Sequence, residues 1–443
     1  MCAVVGVFNT ADASRVAYYA LFAMQHRGQE ASGISSSDSQ IYTIKNRGLV
    51  TSVFNENSFK ILKGDIAIGH NRYSTAGKDS ILDAQPIFAK YKLGEISIAH
   101  NGNLINKQKI RDELIEEGAI FQTSMDTENI IHLISRQKDT GLSDRIENAV
   151  KTIKGAYSLV ILSRSKMFVI RDRYGIRPLS IGKLADGGYI VASETCAFDL
   201  VGAKFVRDVR AGEMLTFRKD SDEPISKQLF EPEFRPCAFE YIYFARPDSV
   251  IDGKNVYEIR EKMGRALAKE SKIDADIVIP VPDSGVASSL GYSHESKIPF
   301  ELAIVRNHYV GRTFIEPTQE IRDLKVKLKL SPIRERIEGK KVIVIDDSIV
   351  RGTTSKQIVR MLKNAGAKEV HMKIAAPEIK YPCYYGIDTP CKDELISSRM
   401  SSDVLRDYIG ADSLSFLSID ALENSIGTDR KYSLVSFDGN YFI

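Results

Sequence analysis

The chain opens Met1-Cys2, and loss of the initiator methionine would leave a thiol beside a free α-amine. An α-amine with an ordinary pKa of about 7.7 to 8.0 is partly neutral near pH 7, so it can accept the thiol proton and later return one to a leaving amine. Two more segments carry groups suited to such chemistry: His70-Asn71-Arg72-Tyr73-Ser74-Thr75-Ala76-Gly77 and Ala99-His100-Asn101-Gly102-Asn103. Each is placed just past the end of a predicted strand. Arg72 suits bidentate pairing with a carboxylate, and the Asn101 amide with the Gly102 backbone N–H suits an oxyanion hole. Taken singly, the same residues also describe a buried first-strand cysteine, an arginine-capped loop and an Asn-Gly turn.

A second constellation lies far downstream. Val342-Ile343-Val344-Ile345 feeds straight into Asp346-Asp347-Ser348-Ile349-Val350-Arg351-Gly352-Thr353-Thr354-Ser355 and then a helical pattern. Loop N–H groups, two threonine hydroxyls and a helix N-terminus together make an anion cradle suited to a phosphate. The adjacent carboxylates ahead of it can accept hydrogen bonds from a diol or neutralise a metal ion. An N-capped helix behind a solvated acidic turn would not explain four apolar residues running directly into two aspartates.

The elements that must hold these groups fall into two styles. From Cys2 to about Phe230, short β-type runs alternate with Gly and Asn turn signals, among them Asp65 to His70, Ile96 to His100, Tyr157 to Leu162 and Met167 to Ile170. Helical spacing interrupts at Ser14 to Gln25 and Thr127 to Gln137, which predicts an α+β sandwich. Lys219 to Pro236 is polar and proline-bearing, and the boundary is placed there. Beyond it, an amphipathic stretch over Asn255 to Ser271 precedes a buried strand at Ile277 to Val281. Lys340 to Ile345, Ser355 to Ala365 and Glu369 to Ala375 then read strand, helix, strand, a pattern that argues for a parallel sheet covered on both faces.

Composition is close to the soluble globular average. The 443 residues are 43% hydrophobic and 27% charged, which rules out disorder and fibrous repeats. A net charge of +3 gives no whole-chain reason to expect nucleic acid or a membrane surface as partner. No apolar run approaches a membrane span, the N-terminus lacks a signal peptide pattern, and five scattered cysteines fit reduced thiols. A cytoplasmic location is therefore expected.

Together with Gln25-His26-Arg27-Gly28-Gln29-Glu30-Ala31-Ser32-Gly33 and Thr123-Ser124-Met125-Asp126-Thr127-Glu128, the first set of segments resembles the class II glutamine amidotransferase domain, an N-terminal nucleophile hydrolase, over residues 2–230. The resemblance implies that Cys2 attacks the glutamine amide. It also implies that Arg72, Thr75 and Asp126 bind the amino acid and that Asn101 and Gly102 form the oxyanion hole. Ala3 stands where this family most often has glycine. Residues 231–443 resemble the type I phosphoribosyltransferases, an α/β parallel-sheet fold. Here Asp346 and Asp347 would face ribose hydroxyls, and Ser348, Val350, Arg351, Gly352, Thr353 and Thr354 would bind the 5-phosphate. Asp283, Ser284 and Gly285 would form the pyrophosphate loop, and Arg306 to Thr313-Phe314 with Lys325 to Arg336 would close over the substrate.

That domain order resembles a family that makes 5-phosphoribosylamine from glutamine and phosphoribosyl pyrophosphate, the first step of de novo purine synthesis. The resemblance implies Mg²⁺ held near Ser284, Asp346 and Asp347, purine nucleotides as feedback inhibitors, a homo-oligomer, by family a tetramer, and neither nucleic acid nor membrane as partner. Other class II amidotransferases share the first half but lack this second one. A regulator that only senses phosphoribosyl pyrophosphate would have a DNA-binding segment in place of the glutaminase. One branch of the family carries a [4Fe–4S] cluster on four cysteines. Cys237 and Cys383 match two of the ligands, but the terminal pair reads Ser433-Leu434-Val435-Ser436, so no iron–sulfur cluster is expected.

Overall fold

The computed structural model of the chain describes residues 1–73, 80–138, 141–307, 329–387, 389 and 391–443. Its first half is two stacked sheets. One has seven strands in the order Lys204–Asp208, Ser180–Lys183, Tyr189–Ala192, Ala3–Phe8, Ile66–Arg72, Ala31–Ser37 and Ile41–Arg47. The other has six, with Gly155–Ser163 near its centre and Gly94–Leu104 between it and the edge strand Ile87–Tyr91. Strand alternation decides the layering: Val4 and Phe8 point into a core shared with Val160, Leu162, Val169 and Phe217 of the facing sheet, while Ala3, Val5 and Val7 pack under the helix Ala13–Ala23. The helices Lys107–Glu116, Asp126–Arg136 and Leu142–Thr152 cover the outer face of the six-stranded sheet through Ile110, Ile130, Ile134 and Ile146. Helix, sheet, sheet, helix is the expected α+β sandwich.

The second half contains a four-stranded sheet, Ile277–Pro280, Lys341–Asp346, Glu369–Ile374 and Ser413–Phe416, all parallel. Val278, Ile343 and Ile345 face the helices Val256–Glu270 and Ile419–Ile426 through Ile259, Met263 and Leu422. Ile277, Ile279, Val342 and Val344 face Thr353–Asn364 through Ile358 and Leu362. Both faces are covered, which is why these strands read as continuous apolar runs.

One expectation is corrected. His70 to Arg72 and Asn101 to Asn103 lie inside strands, not past their ends, because Ile66–Arg72 pairs with Ala31–Ser37 through Arg72 and Gly94–Leu104 pairs with Gly155–Ser163 through Leu104. Backbone pairing outlasted the apolar run that marked the strand. Of the expected closing segment, Leu330–Pro332 pairs with Ile304–Arg306, and residues 308–328 lie outside the described residues. Among the described residues no helix is long and apolar enough to cross a membrane.

Candidate active sites

Cys2 precedes the strand Ala3–Phe8, whose register sets Ala3 opposite Asn71 and so brings Cys2 beside Arg72. From the facing sheet, Asn101 arrives with its Oδ1 accepting the Cys2 backbone N–H at 3.2 Å. That bond fixes the amide's orientation and leaves Nδ2 free. Nδ2 is buried and meets no hydrogen-bond partner among the described residues, a condition that normally costs stability and calls for an explanation. Gly102 follows with φ +153°, and a Cβ there would sit 1.9 Å from the Ala156 carbonyl oxygen, so only glycine fits. A buried amide donor and a glycine N–H beside a thiol are the parts of an oxyanion hole.

The same pocket is lined by Arg72, Gln85, Ser124 and Asp126. Asp126 begins the helix Asp126–Arg136, and its carboxylate accepts the Leu104 N–H at 2.9 Å and lies 3.4 Å from His100 Nδ1. Burial alone would raise this carboxyl, but the histidine beside it holds it below the usual range. Arg72 is backed by Asp83 at 3.9 Å, and Asp83 in turn accepts from the Ser124 hydroxyl at 2.7 Å. Thr75 lies outside the described residues. The thiol of Cys2 donates to the Tyr73 carbonyl at 3.6 Å. With Met1 still attached, its α-amine is buried and pushed down to about 5 by that burial, and the nitrogen of Cys2 is a peptide nitrogen. The free α-amine chemistry needs Met1 removed.

Asp83, His100 and Ser124 were not singled out by sequence reasoning, nor was Arg27, whose Nε donates to the Cys2 carbonyl at 3.0 Å. Arg27, His100 and Ser124 sat within segments that carried the family resemblance, which was the available signal. Asp83 had none.

The second site forms at the C-terminal ends of the parallel strands, where open α/β sheets bind ligands. Asp346 ends its strand, and both Asp346 and Asp347 are buried. Burial together with Asp347 pushes the Asp346 carboxyl well above its ordinary value. Asp347 also stands raised, mainly by burial, although hydrogen bonds from Ser284 and Ser348 and the charge of Arg260 oppose the shift. Gly285 approaches so closely that a Cβ would lie 2.3 Å from the Ile345 carbonyl oxygen, which puts the Asp283-Ser284-Gly285 turn against the acidic pair. Thr353 and Thr354 are exposed at the N-terminus of the helix Thr353–Asn364, with Gly352 before them. Two expected residues do not join this cradle through their side chains. Arg351 pairs with Glu394 at 2.8 Å, and Asp283 is exposed and pairs with Arg306. The Val350 carbonyl accepts the Ile396 N–H at 2.9 Å.

The fold and the two sites define a glutamine-hydrolysing domain joined to a phosphoribosyl-transferring one. Family models agree: residues 70–199 match a glutamine amidotransferase domain and residues 252–381 a phosphoribosyl transferase domain. The chain is 51% identical to a chloroplastic amidophosphoribosyltransferase of Arabidopsis thaliana over 99% of this chain and 79% of that one. It is 47% identical to the amidophosphoribosyltransferase of Bacillus subtilis over 99% and 94%. A solved structure of the glutamine phosphoribosylpyrophosphate amidotransferase from B. subtilis, complexed with ADP and GMP, superposes with a TM-score of 0.94 at 45% identity, covering 99% of this chain and 97% of that one. The chain belongs to the amidophosphoribosyltransferase family.

Proposed function

We propose that the protein converts glutamine and phosphoribosyl pyrophosphate to 5-phosphoribosylamine, glutamate and pyrophosphate, opening de novo purine synthesis. The observation that carries this is the buried, unpartnered Asn101 Nδ2 beside Cys2, on the same chain as a buried acidic pair above a Gly/Thr loop. Once Met1 is removed, the Cys2 α-amine takes the thiol proton and Sγ attacks the side-chain amide carbon of glutamine. Asn101 Nδ2 and the Gly102 N–H take the charge that develops on the amide oxygen. Arg72 and Asp126 hold the α-carboxylate and α-amine, with Thr75 as a further contact. Collapse expels ammonia, protonated from the α-amine, and leaves a thioester that water hydrolyses to glutamate.

Ammonia then displaces pyrophosphate from C1 at the second site. One buried apolar cluster includes Met1, Tyr241, Ala245 and Ile345, the residue before Asp346, so packed apolar side chains join the two sites. Asp346 and Asp347 face the ribose hydroxyls, and the loop Ser348 to Thr354 holds the 5-phosphate through backbone N–H groups and the Thr353 and Thr354 hydroxyls. The Ser284-Gly285 turn lies toward the pyrophosphate. A buried acidic pair whose carboxyls are raised suits a divalent cation, and Ser284, Asp346 and Asp347 would hold Mg²⁺. When bound, that ion neutralises charge on the departing pyrophosphate.

We place the domain boundary near residue 230. Five unpaired cysteines support a reducing compartment, the cytoplasm, although the plant relatives are chloroplastic. Purine nucleotide inhibition and a tetramer complete the proposal, and the nucleotides in the B. subtilis structure support the first. The decisive test is formation of phosphoribosylamine from glutamine, phosphoribosyl pyrophosphate and magnesium by purified protein. Release of glutamate and pyrophosphate in unequal amounts, or none, would overturn the proposal.

The cysteine region does not suit an iron–sulfur cluster. Cys237 bridges in parallel to Ser433, Ser436 accepts the Lys380 and Tyr381 N–H groups next to Cys383, and Cys391 is exposed and bonded to Glu394. The four positions converge, but two carry hydroxyls in place of thiolates. Burial raises the Cys237 thiol to about 11, despite Arg177 beside it. Anaerobically purified protein is expected to contain less than about 0.1 iron and sulfide per chain; stoichiometric amounts of both would refute this.

A further inference from the structure

The glutaminase site rests on a chain of buried charges that crosses into the second half of the molecule. It begins at the nucleophile, where Arg27 Nε holds the Cys2 carbonyl. The other two nitrogens of that guanidinium donate to Glu240, Nη1 to Oε2 and Nη2 to Oε1, both at 3.0 Å. Glu240 opens a short π-helical turn, Glu240–Phe244, beyond the proposed boundary. Its Oε1 also accepts from Arg177 Nη1 at 3.3 Å, and Arg177 Nε donates to the Tyr385 carbonyl at 2.9 Å. The next residue, Gly386, lies against Gly102 so closely that a Cβ on it would be 3.0 Å from the Gly102 Cα.

The ends of this chain are the two halves of the glutaminase chemistry, the nucleophile and the oxyanion loop. Arg27, Arg177 and Glu240 are each no more than 1% exposed, so none is held by solvent, and each guanidinium is a rigid fork that fixes what it binds. Glu194, which also accepts from Arg27, balances the second positive charge. The interaction is therefore specific in direction as well as in charge.

We propose that Glu240 and Arg177 are positioning residues for glutamine hydrolysis, holding Cys2 and the oxyanion loop in register from outside the glutaminase sheets. The proposal rests on the glutaminase assigned above. It makes the first half an incomplete catalyst without residues 240 and 385–386. A misplacement of the reacting groups by about 1 Å can cost about 10²-fold in rate, and binding of the amino acid through Arg72 and Asp126 is not touched.

The test uses full-length protein carrying Glu240→Gln, which keeps the shape and removes the charge, and Arg177→Lys, which keeps the charge and loses the fork. For both, kcat for glutamine hydrolysis is expected to fall about 10-fold or more, the glutamine KM to move less than about twofold, and ammonia-dependent synthesis to stay within about twofold of the parent. Unchanged glutamine kcat in either folded variant overturns the proposal. So does a parallel loss of both activities, the outcome of a merely structural role. If Glu240→Gln does not fold, Arg177→Lys decides alone. A parent protein without glutaminase activity would instead refute the function on which the proposal rests.

Discussion

Replacing Cys2 with serine is expected to lower glutamine-dependent synthesis on the order of 10⁴-fold or more, while synthesis from added ammonia stays near the parental rate. The thiol lies 3.6 Å from the Tyr73 carbonyl within the pocket of the first half, and the site proposed for the second reaction lies at the ends of a different sheet. A serine hydroxyl is far less acidic and a weaker nucleophile, so the α-amine cannot activate it to the same degree. Asp347→Asn should do the opposite, lowering synthesis from either nitrogen source by about 10²-fold. Because the change is nearly isosteric and burial already disfavours the charged carboxylate, the fold should survive it. Measured with both nitrogen donors, the pair of variants separates the sites. Loss of ammonia-dependent synthesis in folded Cys2→Ser protein would mean that the two reactions are not separate.

Asn101 carries the second large effect. Asn101→Ala removes the Nδ2 donor and is expected to lower kcat for glutamine hydrolysis by about 10²- to 10³-fold, roughly 2.7 to 4 kcal/mol of transition-state stabilisation. Asn101→Asp is the sharper variant. It keeps the oxygen that accepts the Cys2 nitrogen but presents a second oxygen where the donor was, so activity should fall at least as far. If Asn101→Asp retained most of the glutaminase rate, Nδ2 would have no part in stabilising the oxyanion. In both variants the glutamine KM should change much less than kcat, because Arg72 and Asp126 remain.

The two predictions draw on different kinds of legibility. Val342 to Thr354 was readable as a site from local order alone, since the strand, acidic pair, loop and helix are consecutive and their geometry follows from short-range backbone rules. Its exception is a side chain that found another partner: Arg351 turned to Glu394, as Asp283 of the upstream turn did to Arg306. Long, flexible side chains at a surface go to the nearest opposite charge, and that neighbour is set by folding of distant segments.

The glutaminase is the contrary case. Cys2, Arg72, Asn101 and Asp126 are scattered over 125 residues, and their types suggested chemistry only through their order and the family they resembled. What joins them is the register of antiparallel strands in two stacked sheets, Ala3 against Asn71 and Asn101 against Ser158.

By itself the sequence determined which residues can be nucleophile, anion cradle and acidic pair, where strands alternate with helices, and that Ser433 and Ser436 stand in place of thiols. Tertiary structure alone decided that Asn101 would be left with an unpartnered donor and that Asp83 would stand behind Arg72. It also decided that Arg27, Glu240 and Arg177 would form one buried chain of charges between the two halves. The reason is physical: a local pattern specifies backbone conformation, but burial and pairing of a charge depend on which remote surfaces the packed core brings together, and a single residue's type holds no record of them.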